Sequence, residues 1–460
     1  MSPRHCARRP ERSGHWRRRA AIAWMAGLVM LGASPARALD LIELHALAVR
    51  NDPAFQAALK DRDAGVAQKD IGRAGLLPSI NYRYSTGQNR SRVTQSTFLG
   101  DITEHRNYRS YSSSVELQQP LLDYEAISAY RQGEALALFS NETYRGKSQE
   151  LVVRVFEAYT QALYAKDQLL LAQAQKRSFS ERMQLNQRLL DLGEGTRTDI
   201  LETSARYNLA QAQEIEAQDN EDAANRELSA LSGLPLNALT LAPLHGPFTI
   251  KPLLPDEYEA WQALALRHNA TLQSLAHSID AAAANVEKSR AGHLPKVGLY
   301  ARAGKDSSNS ESSYNQTYST NSVGLQVSIP LYAGGRVSAQ TGQAVDSMEK
   351  LRYERDARRD ALLNDLRKQY NLYKSSVAKI RAYELAVASA NQLIVATRKS
   401  VAGGERVNVD VLNAEQQLYD ALRNLAQARY GYLGAWVKLK YYAGTLDPAD
   451  LEQVASYFGR

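Results

Sequence analysis

The 460 residues carry a formal net charge of +7, with 44% hydrophobic residues, 23% charged residues and a single cysteine. Residues 1–38 hold eight arginines and one glutamate, so the remainder is balanced at 48 basic and 48 acidic residues. Neutrality beyond residue 38 excludes a nucleic-acid partner held by a basic surface, and with Cys6 the only cysteine the remainder has neither a disulfide nor a catalytic thiol.

Residues 1–38 read as a secretory signal. Arg17, Arg18 and Arg19 precede an apolar run over 20–33, and Ala36-Arg37-Ala38 fits a small-x-small cleavage site. The run is too short to span a bilayer with comfort, and no later stretch approaches ~18 apolar residues. Export without a membrane helix leaves a periplasmic, secreted or outer-membrane β-barrel protein.

Residues 41–75 have helical composition, with Gly75 and Pro78 as the stop. Residues 79–85 then alternate Ile80, Tyr82 and Tyr84 against Ser79, Asn81, Arg83 and Ser85, which is a strand pattern. A polar loop is expected over 86–107. A second strand over 108–119 puts Tyr111, Val115 and Leu117 on one face and serines with Glu116 on the other; Pro120 closes it. A proline-free helical run follows over 124–192, on the order of 100 Å long at 1.5 Å per residue. Its seam steps through Leu151, Val155, Ala158, Ala162, Ala165, Leu169 and Ala172, the spacing of a coiled coil. A turn at Gly193-Glu194-Gly195 leads into a shorter helix over 199–231.

The second half repeats the first. Residues 46–78 and 263–295 align without a gap at an offset of 217, each closing on Arg-Ala-Gly-x-Leu-Pro and sharing Gln56 and Gln273. Strands are expected over 296–303 and 321–329, with a Ser/Asn/Gly-rich loop between them. A second long helix is expected over 337–401, with Leu363, Leu366, Tyr370, Tyr373, Val377 and Ile380 as its seam. Gly403-Gly404-Glu405 turns the chain into a helix over 409–443, whose first turn matches that of the earlier short helix at an offset of 211. The expected organisation is a signal (1–38), a first repeat (39–232), a Pro-rich linker (233–256), a second repeat (257–444) and a tail (445–460).

Four strands of this kind cannot close a barrel, since membrane barrels need at least about eight. An open edge in lipid leaves backbone groups unpaired. Strands in a membrane therefore require several chains to close one barrel, and the spacing does not choose between two chains and three. The fold class is mainly α with a β-barrel part. A non-membrane periplasmic coiled-coil scaffold or adaptor is the alternative of a different class.

The paired Arg-Ala-Gly-x-Leu-Pro boxes, Gln119-Pro120-Leu121, the run Ile329-Pro330-Leu331-Tyr332-Ala333-Gly334-Gly335 and the segment from Arg406 to Leu412 occur in one order and in duplicate. In this combination the chain resembles the TolC family of outer-membrane efflux and export proteins over nearly all of residues 39–460. The resemblance implies a homotrimer with a twelve-stranded barrel in outer-membrane lipid and an α-helical coiled-coil tunnel in the periplasm. Its partners would be a periplasmic adaptor (membrane fusion) protein and an inner-membrane ABC or proton-driven transporter. The function implied is a passive exit duct, for type I secretion of a toxin or exoprotein or, alternatively, for small-molecule efflux. By position the resemblance makes Asp199 and Arg406 a candidate link that closes the periplasmic tip, and Asp410 a ring carboxylate repeated around the axis. Asn413 stands where the family pattern has a second acid, and Val401 where it has a tyrosine, so charge and closure are expected to be weaker. The scattered histidines have no ligand spacing, and no phosphate loop or nucleophile motif is present. Neither a metal, a cofactor nor an enzymatic activity is expected.

Overall fold

In the computed structural model, which describes residues 39–236, 240–245, 247–309 and 311–459, each half is a helix pair, a β-hairpin, a long helix and a shorter return helix. The signal expected over 1–38 lies outside the described residues. The first half contains α1 (Leu41–Asn51), α2 (Pro53–Ala74), β1 (Ser79–Thr97), β2 (Gly100–Leu122), α3 (Tyr124–Asp191) and α4 (Arg197–Ser232). The second contains α5 (Tyr258–His268), α6 (Ala270–Arg290), β3 (Lys296–Ser307), β4 (Thr317–Ser328), α7 (Arg336–Ala402) and α8 (Asn408–Ala443), and α9 (Pro448–Ala455) follows. None of the described helices is long and apolar enough to cross a membrane.

The duplicated residues do duplicated work. The break between α1 and α2 falls at Asp52, and that between α5 and α6 at Asn269; each side chain caps the helix that follows. Gln56 spans the first break by donating to the Val49 carbonyl at 2.7 Å, and Gln273 spans the second by donating to that of Arg267 at 2.9 Å. The two caps then diverge: Asp52 pairs with Arg154 of α3 at 2.5 Å, whereas the Asn269 amide donates to the Tyr442 carbonyl at 3.0 Å. The Arg-Ala-Gly-x-Leu-Pro boxes turn helix into strand. In both, the leucine N–H returns to the alanine carbonyl, Leu77 to Ala74 at 3.2 Å and Leu294 to Ala291 at 2.9 Å.

The strands form one antiparallel sheet in the order β1-β2-β3-β4, with β1 and β4 as edges unpaired among the described residues. The first hairpin is far longer than its hydropathy suggests. The stretch expected as a loop over 86–107 continues both strands, and only Phe98 and Leu99 connect them. Cross-strand pairs such as Thr94 with Thr103 (3.0 Å) and Arg92 with His105 (3.1 Å) hold this ribbon. Apolar alternation registers a strand only where one face meets lipid or a core, so a ribbon polar on both faces is invisible to it. The second hairpin also extends, to Ser307 and from Thr317. Pro120 does not end β2; the register shifts between Pro120 and Leu122 instead, which accommodates a residue with no N–H in an inner strand. One sheet face carries Ile80, Tyr82, Val115, Val323, Leu325 and Val327, each at least 44% exposed in the single chain.

The long helices pack as seams of small and apolar residues. On α3, Leu151, Val155, Ala158, Ala162, Ala165 and Ala172 are buried as expected, and Leu169 is half-buried. On α7 the buried row is Leu362, Leu366, Gln369, Tyr373, Ser376 and Ile380. The expected Leu363, Tyr370 and Val377 lie one position round the helix, half-buried against the core edge. Polarity misled there: Gln369 and Ser376 occupy inward positions that hydropathy assigns to their apolar neighbours.

Segments expected only as linker and tail complete the core. Leu241, Leu253, Leu446, Leu451, Val454 and Phe458 are buried with Tyr159 and Leu439. The Tyr159 hydroxyl donates to the carbonyls of Leu39 (3.3 Å) and Ala242 (3.1 Å), and Tyr373 and Tyr432 gather at the Lys251 carbonyl. Close by, Asp167 accepts from the Tyr430 hydroxyl at 2.9 Å. Burial holds the Asp167 carboxyl above the ordinary carboxylate range, and the Tyr430 hydrogen bond and Lys166 charge offset this only in part. The folded chain thus binds this proton more tightly than the unfolded chain. The associated stability is complete below the ordinary value of 3.8 and is lost as pH rises through the folded value. Asp167→Asn is expected to flatten that decline without loss of stability at neutral pH, as read from thermal melts over a pH series.

Candidate functional site

The two glycine turns have the same geometry. Gly193 (φ +78°) and Gly404 (φ +76°) adopt the left-handed conformation that ends α3 and α7. The next N–H in each reaches five residues back, Glu194 to Leu189 and Glu405 to Ser400, both at 2.9 Å. Asp199 and Asp410 then occupy the same position, in the first turn of α4 and of α8.

Their side chains differ in what holds them. Asp199 forms a capping box: its carboxylate accepts from the Thr196 hydroxyl at 2.5 Å and the Thr196 N–H at 3.2 Å, while its own N–H donates to the Thr196 hydroxyl. The equivalent cap of α8 is Val407, which has no hydroxyl, and the half-buried Asp410 carboxylate has no side-chain partner among the described residues. One substitution in the repeat, Thr196 against Val407, therefore separates a capping carboxylate from an uncommitted one.

The candidate residues are not all brought together within the chain. Arg406 is exposed in the turn and, among the described residues, makes no ion pair or hydrogen bond; it does not meet Asp199. Asn413 accepts from the Arg206 guanidinium of α4 at 2.9 Å. Val401 contributes its carbonyl to the turn, accepting from the Gly404 N–H at 3.1 Å, and its side chain has no hydroxyl to make a link.

A further group at this end was absent from the sequence expectations. Glu415, only 3% exposed, accepts from Ser178 (2.9 Å) and Arg182 (3.4 Å) of α3 and from Arg398 (2.7 Å) of α7. Beside it, Gln175 of α3 donates to Gln416 at 2.6 Å, and Leu412 packs with Phe179 of α3 and Ala210 of α4. Burial and the Glu415 charge push the neighbouring Tyr419 hydroxyl up from its ordinary pKa, with Ser178 and two arginines opposing. The first turns of α8 thus grip all three neighbouring helices: Asn413 holds α4, and Glu415 holds α3 and α7. The available sequence signal was a carboxylate one turn beyond Leu412, on the buried stripe of α8. Among the described residues, no group of three or more His, Cys, Asp or Glu gathers as for a metal ion.

Comparison with known proteins places these features in context. The family model described as outer membrane efflux protein matches residues 44–234 and 261–445, one match per repeat. The alkaline protease secretion protein AprF of Pseudomonas aeruginosa is 54% identical over 96% of this chain and 92% of its own length. The proteases secretion protein PrtF of Dickeya chrysanthemi is 43% identical over 96% of each chain. Among solved structures, the outer membrane protein VceC of Vibrio cholerae superimposes with a TM-score of 0.76, covering 88% of this chain and 96% of that one at 16% identity.

Proposed function

Because the chain belongs to the outer membrane efflux protein family, we propose that it is the passive outer-membrane exit duct of a type I machine that secretes an exoprotein, gated at the end that holds the twin glycine turns. It resides in the outer membrane, with its helices in the periplasm. The observation that carries this reading is the sheet: four strands, one face apolar and exposed, both edges open, continuous with helices about 100 Å long. An open sheet in lipid is satisfied only by further strands. Three chains supply twelve, enough to leave a water-filled centre. The duct works with an adaptor and an inner-membrane transporter; an ABC transporter is the partner that protein cargo favours. The names of the AprF and PrtF relatives support secretion of a protease over efflux of small molecules.

The gate follows from the asymmetry of the repeat. Asp410, with no cap to serve, is the ring carboxylate, and around an axis its copies attract cations and repel anions. Arg406, with no partner among the described residues of its own chain, is available to a neighbouring chain. Asp199 serves its own helix first and contributes its remaining oxygen to that link.

Single-channel recording of the purified protein in a planar bilayer tests the duct and its gate together. Small, cation-selective steps are expected, enlarged in Arg406→Ser. Asp410→Asn is expected to lower cation preference by about tenfold. Asp199→Asn keeps an acceptor oxygen for Thr196 and is expected to cost less than about 1 kcal/mol of cap stability while leaving selectivity nearly unchanged. Absence of conductance from folded, inserted protein overturns the duct, and equal effects of Asp199→Asn and Asp410→Asn on selectivity overturn the assignment of the ring. In cells, loss of the chain is expected to abolish extracellular protease and leave drug susceptibility unchanged; the reverse pattern favours small-molecule efflux.

A further inference from the structure

The first hairpin rises past the second. β3 and β4 end at Ser307 and Thr317, opposite Tyr111 on β2, while β1 and β2 remain paired up to Thr97 and Gly100. Over this extension the two faces differ. Gly87, Asn89, Ser91, Arg106, Tyr108 and Ser110 are half-buried, and Tyr314, between β3 and β4, packs on Tyr108 of that face at 5.2 Å. The other face is open and carries Arg90, Arg92, His105 and Arg109. By register it is the continuation of the apolar face, since Ile80, Tyr82, Tyr84, Thr86, Gln88, Arg90 and Arg92 alternate along one side of β1.

Sorting the charges of the whole sheet by face gives a clear separation. Glu104, Glu116 and Asp306 lie on the face opposite the lipid side, together with Arg83, Arg106, Lys296 and Arg302. The lipid side carries Lys305, Arg109, Arg90, Arg92 and His105, and no carboxylate until Asp101 beside the hairpin tip. Arg90 and Lys305 have no hydrogen-bond or ion-pair partner among the described residues. Arg92 and Arg109 use only Nε, toward His105 at 3.1 Å and Thr86 at 3.2 Å, which leaves their terminal nitrogens open.

We propose that this basic strip binds the phosphate groups of a sugar-based lipid headgroup in the outer leaflet. The proposal rests on the membrane reading of the sheet and adds a ligand to it. Successive rows on one face are about 7 Å apart along a strand, or about 5 Å along the membrane normal at a 45° tilt. Above the Tyr111 row, Arg109 then stands at about 5 Å, Arg90 at about 10 Å and Arg92 at about 15 Å. A phospholipid headgroup layer occupies only roughly 5–7 Å on each side of the hydrocarbon. A strip that keeps one sign of charge over twice that height matches phosphates carried on sugars that stand above the acyl chains. Guanidinium groups suit this task because they bind phosphate through paired N–H donors.

The test uses the full-length protein in detergent, with bound lipid read by native mass spectrometry. The probes are bisphosphorylated lipid A, dephosphorylated lipid A and phosphatidylglycerol. Retention of bisphosphorylated lipid A is expected to exceed that of the other two by at least about tenfold. Each arginine removed is expected to lower retention roughly fivefold, and Arg90→Gln, Arg92→Gln and Arg109→Gln together about a hundredfold. Arg83→Gln, on the opposite face, is expected to change nothing. Equal retention of dephosphorylated lipid A, an unchanged triple variant, or displacement of the lipid by millimolar inorganic phosphate overturns the proposal; so does equal retention of phosphatidylglycerol, which removes the sugar from the site. Extraction of every variant from membranes only by detergent keeps the barrel reading intact while the lipid site fails. Carbonate extraction of wild-type protein places the failure in the barrel instead.

Discussion

Glu415→Ala is expected to loosen the end that holds the twin glycine turns and, on the proposed gate, to enlarge the conductance steps, at a cost of about 2–3 kcal/mol in stability. The carboxylate is buried and is the common acceptor for one hydroxyl and two guanidinium groups on two other helices. Removing it leaves Arg182, whose side chain is 14% exposed, with its charge uncompensated, whereas Arg398, at 56%, regains water. That partial rehydration places the cost below the upper range for breaking a buried pair. Glu415→Gln retains an acceptor for Ser178 and is expected to lose about half as much. Denaturant midpoints in detergent and single-channel steps are the measurements. A wild-type midpoint together with wild-type steps for Glu415→Ala shows that the three helices are held by their apolar seams alone.

Gly444→Ala is expected to be more damaging than the equivalent change at Gly233, although the two glycines do the same job. Both end a return helix in the left-handed conformation, at φ +73° and +71°. An alanine pays about 1–2 kcal/mol for that backbone at either position. The surroundings differ. A Cβ on Gly444 would sit 2.3 Å from the His268 carbonyl oxygen, which is backbone at the break between α5 and α6, whereas on Gly233 it would meet the movable Asn51 side chain at 3.0 Å. Backbone cannot step aside, so the Gly444 variant adds an overpacking term of about 1–3 kcal/mol and is expected to lose about 2–5 kcal/mol in all, against about 1–2 for Gly233. Thermal unfolding of the two variants side by side tests the comparison. Equal losses show that the α5–α6 break yields as readily as a side chain.

The repeat was legible because its key residues act locally. Asp52, Asn269, Gln56 and Gln273 bond within a few residues of themselves, so like sequence produces like structure in both halves. The long helices were legible from their unbroken seven-residue periodicity. Sites depending on what a distant helix presents were less so. Asp199 and Asp410 are separated by a local feature, the hydroxyl of Thr196 against the side chain of Val407 three residues before each, whose effect on the carboxylates shows only in the folded geometry. Glu415 reads as one charge among many until Arg182, far off in the chain, and Arg398, across the glycine turn on α7, are folded against it.

The sequence by itself determined the duplicated architecture, the four strands with one apolar face, the requirement that such strands in a membrane be closed by further chains, and the two glycine turns. Each follows from periodicity or from chemistry within about one helical turn, which a linear pattern records. The tertiary structure alone decided the extent of the first hairpin, the inward row of α7, the part that Leu241, Leu253, Leu446, Leu451 and Phe458 play in the core, and the Glu415 junction. In each of these, backbone pairing or burial of a polar group against a distant segment outweighs local hydropathy. A polar side chain such as Gln369 or Glu415 is buried only because another element approaches it, which sequence order does not encode.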